Sequence, residues 1–79
     1  MNRTDRVAVA SRSFSRNEVL RSELLERYQN VTFNDAGVSL HGDGLVRFLA
    51  GHEKAIIALE RIDHDILAKL PDLQRIAKY

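Results

Sequence analysis

The chain has no cysteine and no long apolar run, and its charges nearly balance. Without cysteine there can be no disulfide, no thiolate metal site and no cysteine nucleophile. No apolar stretch approaches the roughly 20 residues that a membrane span requires, and no apolar segment follows the N-terminal charges as in a secretory signal. The net charge of +1, from twelve Lys and Arg against eleven Asp and Glu, offers no basic patch to nucleic acid. We therefore expect a cytoplasmic protein that binds neither membranes nor nucleic acids.

What the sequence does contain is ordinary material for a small folded domain. Its 79 residues are 44% apolar and 29% charged, which is typical of globular domains and not of disordered chains. A chain of this length forms one domain at most and buries a modest share of its surface, so we expect marginal stability.

Short apolar runs alternate with helical patterns along the whole chain. Four runs predict strands, and patterns beginning near Ser15, Asp43 and Asp63 predict three helices between them. This alternation predicts an α/β fold with right-handed crossovers and a flavodoxin-like parallel sheet, with strands in the order 2-1-3-4. The predicted strands are Arg6–Ala10, Val31–Phe33, Ala55–Leu59 and Leu73–Tyr79.

The start of the first helix carries two local signals. Ser15 and Glu18 have the spacing of a capping box, and Phe14 and Val19 have that of a hydrophobic staple. An apolar stripe then predicts the buried face of the helix, with Asn30 as its terminator. The stripe consists of Leu20, Leu24 and Tyr28, with Leu25 beside them.

The other two helices have simpler boundaries. Asp43 is the predicted cap of the second helix, and Gly51 occupies the C′ position that favours glycine. Asp63 is the predicted cap of the third, and Pro71 stops it. Its staple is predicted from Ile62 and Leu67, and its buried edge from Ile66, Leu67 and Leu70.

Few motifs in the chain carry chemistry. The stretch His41-Gly42-Asp43-Gly44 contains a lone G-x-G, which we interpret as a turn before a helix and not as a dinucleotide fingerprint. His41, His52 and His64 do not pair at helical spacing, so no metal site is predicted. We expect this chain to bind no cofactor by itself and to hold no catalytic residue.

Topology selects the candidate binding residues, because ligands of open α/β sheets bind beyond the carboxyl ends of the strands. Arg12 and Arg61 have the planar fork that binds a carboxylate or phosphate, although both also fit an interpretation as solvated loop residues. Asn34 and Asp35, after the second strand, are expected to lie further out. The selected residues are Ser11, Arg12, Ser13 and Phe14 after strand 1, Glu60 and Arg61 after strand 3, and Tyr79 after strand 4.

Several stretches together resemble D-isomer-specific 2-hydroxyacid dehydrogenases of the phosphoglycerate dehydrogenase-like group. Residues 7–15 resemble the family's first strand and loop, and residues 30–34 resemble its second strand. Ala55-Ile56-Ile57-Ala58-Leu59-Glu60-Arg61-Ile62-Asp63, followed by residues 67–76, resembles its third strand, third helix and fourth strand. The spacing from Leu59 to the Leu70-Pro71 pair is the more specific part of the likeness.

This resemblance implies the N-terminal part of a substrate domain. Family members interconvert 2-hydroxy and 2-oxo acids with NAD or NADP, which a separate glycine-fingerprint domain binds. Their catalytic Arg, Glu and His lie beyond the segment that this chain resembles, so residues 1–79 are expected to be a partial domain that forms one wall of the cleft. Its exposed fourth strand is open to self-association. The stretch from Glu60 to Asp63 departs from the family's usual residues, which leaves the substrate class open.

Two other interpretations remain. One is a small independent α/β module that binds a ligand or a partner without catalysing a reaction. A phospho-receiver version fails, because Ser11-Arg12 stands where an acidic pair is required after strand 1, and Glu60-Arg61 stands where a phosphorylatable Asp is required after strand 3. The other is the remnant of a disrupted gene.

Overall fold

A computed structural model describes residues 4–79 and contains four short strands and four helices, with two helices between the first two strands and one helix between each later pair. The order along the chain is β1 (Arg6–Val9), α1 (Arg12–Arg16), α2 (Glu18–Arg27), β2 (Asn30–Phe33), α3 (Gly42–Leu49), β3 (Lys54–Ile57), α4 (His64–Ala68) and β4 (Arg75–Lys78).

The four strands form one parallel sheet in the order β2-β1-β3-β4, as predicted. Ala8 of β1 stands beside Ala55 of β3, which stands beside Ile76 of β4. The central strand β1 has three consecutive buried residues, because both of its faces are covered by helices. This burial explains why its sequence is apolar without alternation.

Alternate side chains of the strands build two separate cores. On one face α3 and α4 cover β1 and β3, with Leu45 and Leu49 wholly buried. On the other face α1 and α2 cover β1 and β2. The first core comprises Ala8, Ala10, Leu45, Leu49, Ala55, Ile57 and Leu70, and the second comprises Val7, Val9, Phe14, Leu24 and Tyr28.

The predicted capping box at Ser15 is wrong, and one predicted helix is two. Ser11 caps α1 and Asn17 caps α2. Ser15 is buried instead, because its hydroxyl donates to the Val9 carbonyl at 3.2 Å and accepts from the Asn34 amide at 3.0 Å. The predicted staple is also wrong, since the Val19 side chain is 66% exposed.

The end of α2 lies earlier than predicted. The helix stops at Arg27 with Tyr28 as its C-cap, and Asn30 begins β2 because its backbone pairs with Arg6 of β1. Leu24 and Tyr28 are buried as predicted, whereas Leu25 is 47% exposed because it points away from the sheet.

The start of α3 also differs from the prediction. The helix begins at Gly42 with His41 as an N-cap that makes no side-chain cap hydrogen bond, and Asp43 lies in the first turn. The Leu45 amide closes this turn on the His41 carbonyl at 3.3 Å. Gly51 has a φ of +77°, which confirms its predicted place after the helix end.

The cap at Asp63 is confirmed, because its Oδ1 accepts from the Ile66 amide at 3.0 Å. Leu70 is buried as predicted, but Leu67 is 43% exposed and does not contribute to a buried edge. Leu59 is 87% exposed and follows the end of β3. Within residues 4–79, none of the helices has the length and apolar character needed to cross a membrane.

Candidate functional site

The segments that follow β1, β3 and β4 meet at one edge of the sheet. The backbone amides of Ala10 and Ser11 donate to the Ile56 carbonyl at 2.9 and 3.4 Å. The Tyr79 amide donates to the Ile57 carbonyl at 2.7 Å. The end of β3 therefore holds the residues after β1 and β4 on either side of it, which positions the candidate site.

Phe14 and Tyr79 are predicted site residues from different segments of the chain that contact each other. Their ring centroids are 5.3 Å apart and their planes are at 82°, an edge-to-face arrangement. Phe14 belongs to α1 and is buried in the core between this helix and the sheet, and Tyr79 is 55% exposed. The pair forms an aromatic wall that joins the loop after β1 to the end of β4.

Ser11, Arg12 and Ser13 have different environments despite their adjacency. Ser11 is wholly buried, and its Oγ accepts from the Phe14 amide at 3.1 Å. Arg12 and Ser13 begin α1 with exposed side chains. Ser11 thus positions the helix that carries Phe14, and Arg12 and Ser13 are the members of this segment that a ligand can reach.

Glu60 and Arg61 are not brought to the aromatic wall. Glu60 Oε1 accepts from the Ala58 amide at 2.7 Å, so this carboxylate stabilises the turn after β3. Arg61 lines a cavity of about 300 Å³ between the starts of α3 and α4, with carboxylates of Asp43 and Asp63 on its border. That cavity lies on the α3 side of the sheet, opposite Phe14.

Asn34 is the residue of this edge that the sequence prediction placed too far out. Its side-chain amide donates to the Ala10 carbonyl at 3.1 Å and to the Val38 carbonyl at 2.8 Å. Its Oδ1 accepts from the Val38 amide at 3.3 Å, and the residue is only 4% exposed. Asn34 therefore fixes the carboxyl end of β1 to the loop after β2.

A sequence signal for Asn34 does exist. An Asn at the end of a strand, before Asp35, Ala36 and Gly37, has the chemistry of a turn that an Asx side chain closes. The structure contains this turn, since the Gly37 backbone amide donates to the Asn34 carbonyl at 3.1 Å and Gly37 has a φ of +66°. The residue supports the site and does not face a ligand.

The two residues with shifted pKa values, Arg6 and Glu53, lie at the opposite edge of the sheet, where the strands β1 and β3 begin. The Arg6 guanidinium donates to Glu53 at 2.7 and 3.1 Å, and the Arg6 amide donates to it at 2.9 Å. The side-chain hydrogen bond from Arg6, followed by the backbone one, lowers the pKa of Glu53, and Glu53 raises the pKa of Arg6. The backbone carbonyl of Glu53 also accepts a hydrogen bond from the Gln74 backbone amide at 2.7 Å. Glu53 therefore connects the starts of β1, β3 and β4, through its side chain to Arg6 and through its backbone to Gln74.

Among residues 4–79 the structure shows neither a cluster of metal-ligand side chains nor a glycine loop that joins a strand directly to a helix. Within residues 4–79, no three His, Asp or Glu side chains are grouped to hold a metal ion. Gly42 and Gly44 lie in the first turn of α3, and eight residues separate this helix from β2. A Cβ at either glycine would meet nothing within 4 Å. A phosphate-binding glycine loop instead joins a strand directly to a helix and needs a close backbone approach.

Comparisons with protein-family models, with curated proteins and with solved structures find no match for this chain. What the structure establishes is the class: a four-stranded parallel α/β sheet whose loops meet at its carboxyl edge.

Proposed function

We propose that this chain is a substrate-binding α/β unit, and in particular the N-terminal part of the substrate domain of a cytoplasmic NAD(P)-dependent D-2-hydroxyacid dehydrogenase. The contact of Phe14 with Tyr79 carries the proposal. It joins α1, which follows β1, to the residue after β4. From the resemblance we expect one wall of the substrate cleft at this edge of the sheet.

The exposed residues of this edge have the chemistry that a 2-oxo or 2-hydroxy acid requires. Arg12 offers a planar fork for a carboxylate, and Ser13 offers a hydroxyl donor. Phe14 and Tyr79 offer an apolar surface for the rest of a small acid. Glu60 stabilises the turn after β3, and Arg61 lies on the α3 side of the sheet. Neither residue is therefore assigned to the substrate.

In this proposal the unit binds and does not catalyse. NAD or NADP supplies and accepts the hydride in the parent enzyme, and the proton-transferring side chains belong to segments outside the resemblance. We expect no NAD- or NADP-dependent turnover of any 2-hydroxy acid by the 79-residue chain. Measurable hydride transfer by this chain alone would contradict the proposal.

The coding sequence after codon 79 provides the direct test. An in-frame Gly-Val-Gly-x-Asp segment, followed later by a glycine fingerprint, is the expected result. A stop codon with no such sequence in any downstream frame would overturn the assignment.

A binding experiment tests the wall itself. We expect pyruvate to shift the amide resonances of residues 11–14 and Tyr79 in the labelled chain, and Arg12→Gln to weaken this binding about fivefold through loss of a bidentate pair. Arg16→Gln, at the other end of α1, is the matched control and should change the affinity less than twofold. If both variants changed the affinity for pyruvate equally, Arg12 would not be a binding residue of the site.

A second candidate is an independent α/β module that binds a partner and has no enzymatic activity. An open apolar cavity of about 370 Å³ between α2 and β4 favours it. The codon test separates the two candidates, because only the dehydrogenase proposal requires further domains.

A further inference from the structure

One face of the strands β3 and β4 has no helix over it within the described chain. The two helices α3 and α4 pack on the opposite face of β3, α2 packs over β1 and β2, and neither core includes a residue of β4. Every residue of β4 is exposed. In parallel sheets both faces are normally covered, so this face lacks a layer.

The uncovered face is a groove that runs along β3 and β4 beside α2. Two adjoining cavities, of about 370 and 240 Å³, share Leu24, Arg27 and Ile56 as lining residues. Ile56 and Ala77 are in register and form the floor. We call this surface the β3–β4 groove; its lining comprises Val7, Leu20, Glu23, Leu24, Arg27, Tyr28, Lys54, Ala55, Ile56, Arg75, Ile76 and Ala77, with Phe14 at the carboxyl end.

The dimensions of the groove suit an α-helix better than an extended chain. Strands lie about 4.8 Å apart, so two strands present a floor about 10 Å wide, which is the diameter of a helix with its side chains. A helix there would lie beside α2 at the usual packing distance of about 8–10 Å. Its apolar stripe would cover Ile56 and Ala77 and contact Leu24.

The charge of the groove defines the chemistry of that helix. Arg27, in the last turn of α2, and Arg75, at the start of β4, are exposed and have no carboxylate partner among residues 4–79. Lys54 between them is paired with Asp5 and lies 5.7 Å from the centre of the Tyr28 ring. The amino end of the groove therefore carries two cations that form an ion pair with no carboxylate of residues 4–79, and the acidic side chain of Glu23 lies one turn before Arg27 in the lining.

We propose that the β3–β4 groove binds an amphipathic helix of a protein partner, with acidic side chains flanking its apolar stripe beside Arg27 and Arg75. This inference does not depend on the proposed substrate cleft, which uses Arg12, Ser13, Phe14 and Tyr79 at the carboxyl edge and shares Phe14 with the end of the groove.

The test uses a designed fluorescent helical peptide of about four turns, with a Leu and Ala stripe and two flanking Glu residues, and a matched peptide with Lys in place of Glu. Fluorescence anisotropy should show binding of the acidic peptide to the full chain and about tenfold weaker binding of the basic one, as expected for rim charges.

Two pairs of variants locate the binding on the chain. We expect Arg75→Gln and Arg27→Gln to weaken binding of the acidic peptide about threefold to fivefold each. Lys78→Gln is the control for β4, because its side chain alternates to the other face, and Arg47→Gln in the last turn of α3 is the control for α2. Both controls should change the affinity less than twofold.

A steric variant tests the floor. Ala77→Phe places a ring in the groove and should weaken binding more than tenfold while the circular dichroism spectrum stays unchanged. No binding of either peptide, equal binding of both, or equal effects of Arg75→Gln and Lys78→Gln would overturn the proposal. Self-association of the chain that Ala77→Phe abolishes would also overturn it and assign the groove to a second copy.

Discussion

At the scale of single residues, Asn34 shows why an amide is needed beneath the candidate site. Its NH₂ group faces two carbonyl oxygens, of Ala10 and Val38, while its oxygen faces the Val38 amide. Only a side chain with both donors and an acceptor satisfies all three groups. An acid of the same shape cannot do so while it is ionised.

We therefore expect Asn34→Asp to destabilise the fold more than Asn34→Ala at neutral pH. Alanine leaves buried groups unsatisfied, at a cost of about 1–3 kcal/mol, whereas aspartate places a buried charge against two carbonyls, at about 3 kcal/mol or more. This environment raises the pKa of the introduced acid, so its penalty should shrink as the pH falls toward the unfolded value of about 3.9. Urea unfolding at several pH values measures this.

The exposed residue Asn30 provides the matched control, because its side chain also donates to a carbonyl, that of Thr4, at 3.2 Å. Asn30→Asp should cost less than about 0.5 kcal/mol. If Asn34→Asp were no worse than Asn34→Ala at every pH, the described role of Asn34 would be wrong.

A second residue-scale prediction concerns acid stability. The pKa of Glu53 is lowered by its hydrogen bonds from Arg6, so its stabilising contribution is present above the unfolded value of about 4.3 and is lost as pH falls through the folded pKa. The difference in unfolding free energy between the native chain and Glu53→Gln should therefore shrink on acidification. Glu26→Gln, on the exposed face of α2, should leave the pH profile of stability unchanged.

At the scale of secondary-structure elements, the break between α1 and α2 illustrates what local sequence can and cannot predict. The periodicity of apolar residues predicts a strand, a polar loop and a helix that buries Leu24 and Tyr28. The position of the caps is not, because Ser15 bonds to the backbone of Val9 and Asn34, which only the folded sheet brings near it. Asn17 takes over as the cap of α2.

We expect Asn17→Ala to lower the free energy of unfolding by about 1 kcal/mol, because its Oδ1 accepts from the amides of Val19 and Leu20, both at 3.1 Å. Asn17→Asp keeps the acceptor and should restore most of the loss. Thermal or urea unfolding checks both variants. Were alanine and aspartate equally destabilising, the cap would not be the reason for the break.

At the scale of the whole molecule, the strand order was predictable and the placement of the site residues was not. Right-handed crossovers between consecutive parallel strands leave few sheet orders, and the observed order is the predicted one. The separation of Arg61 from Phe14 and Tyr79 depends on where α3 and α4 pack. The uncovered face beside α2 likewise depends on which side each helix crosses.

The exposed edge of β4 provides the last prediction. Two antiparallel strands related by a two-fold axis keep each side chain on its own face, so a pairing of two copies centred on Lys78 would oppose Lys78 to its own copy. Like charges directly opposite each other destabilise such pairs, so any self-association of the native chain through β4 should strengthen as salt screens them.

Lys78→Gln removes this like-charge contact, worth about 0.2–1 kcal/mol, so the dimer dissociation constant should fall by up to about fivefold. The dimer of this variant should depend little on salt, unlike that of the native chain. Sedimentation velocity over a range of concentrations and salt measures both effects, with Lys69→Gln in the turn after α4 as the control. If Lys78→Gln and Lys69→Gln associate alike, the edge of β4 is not where two copies meet.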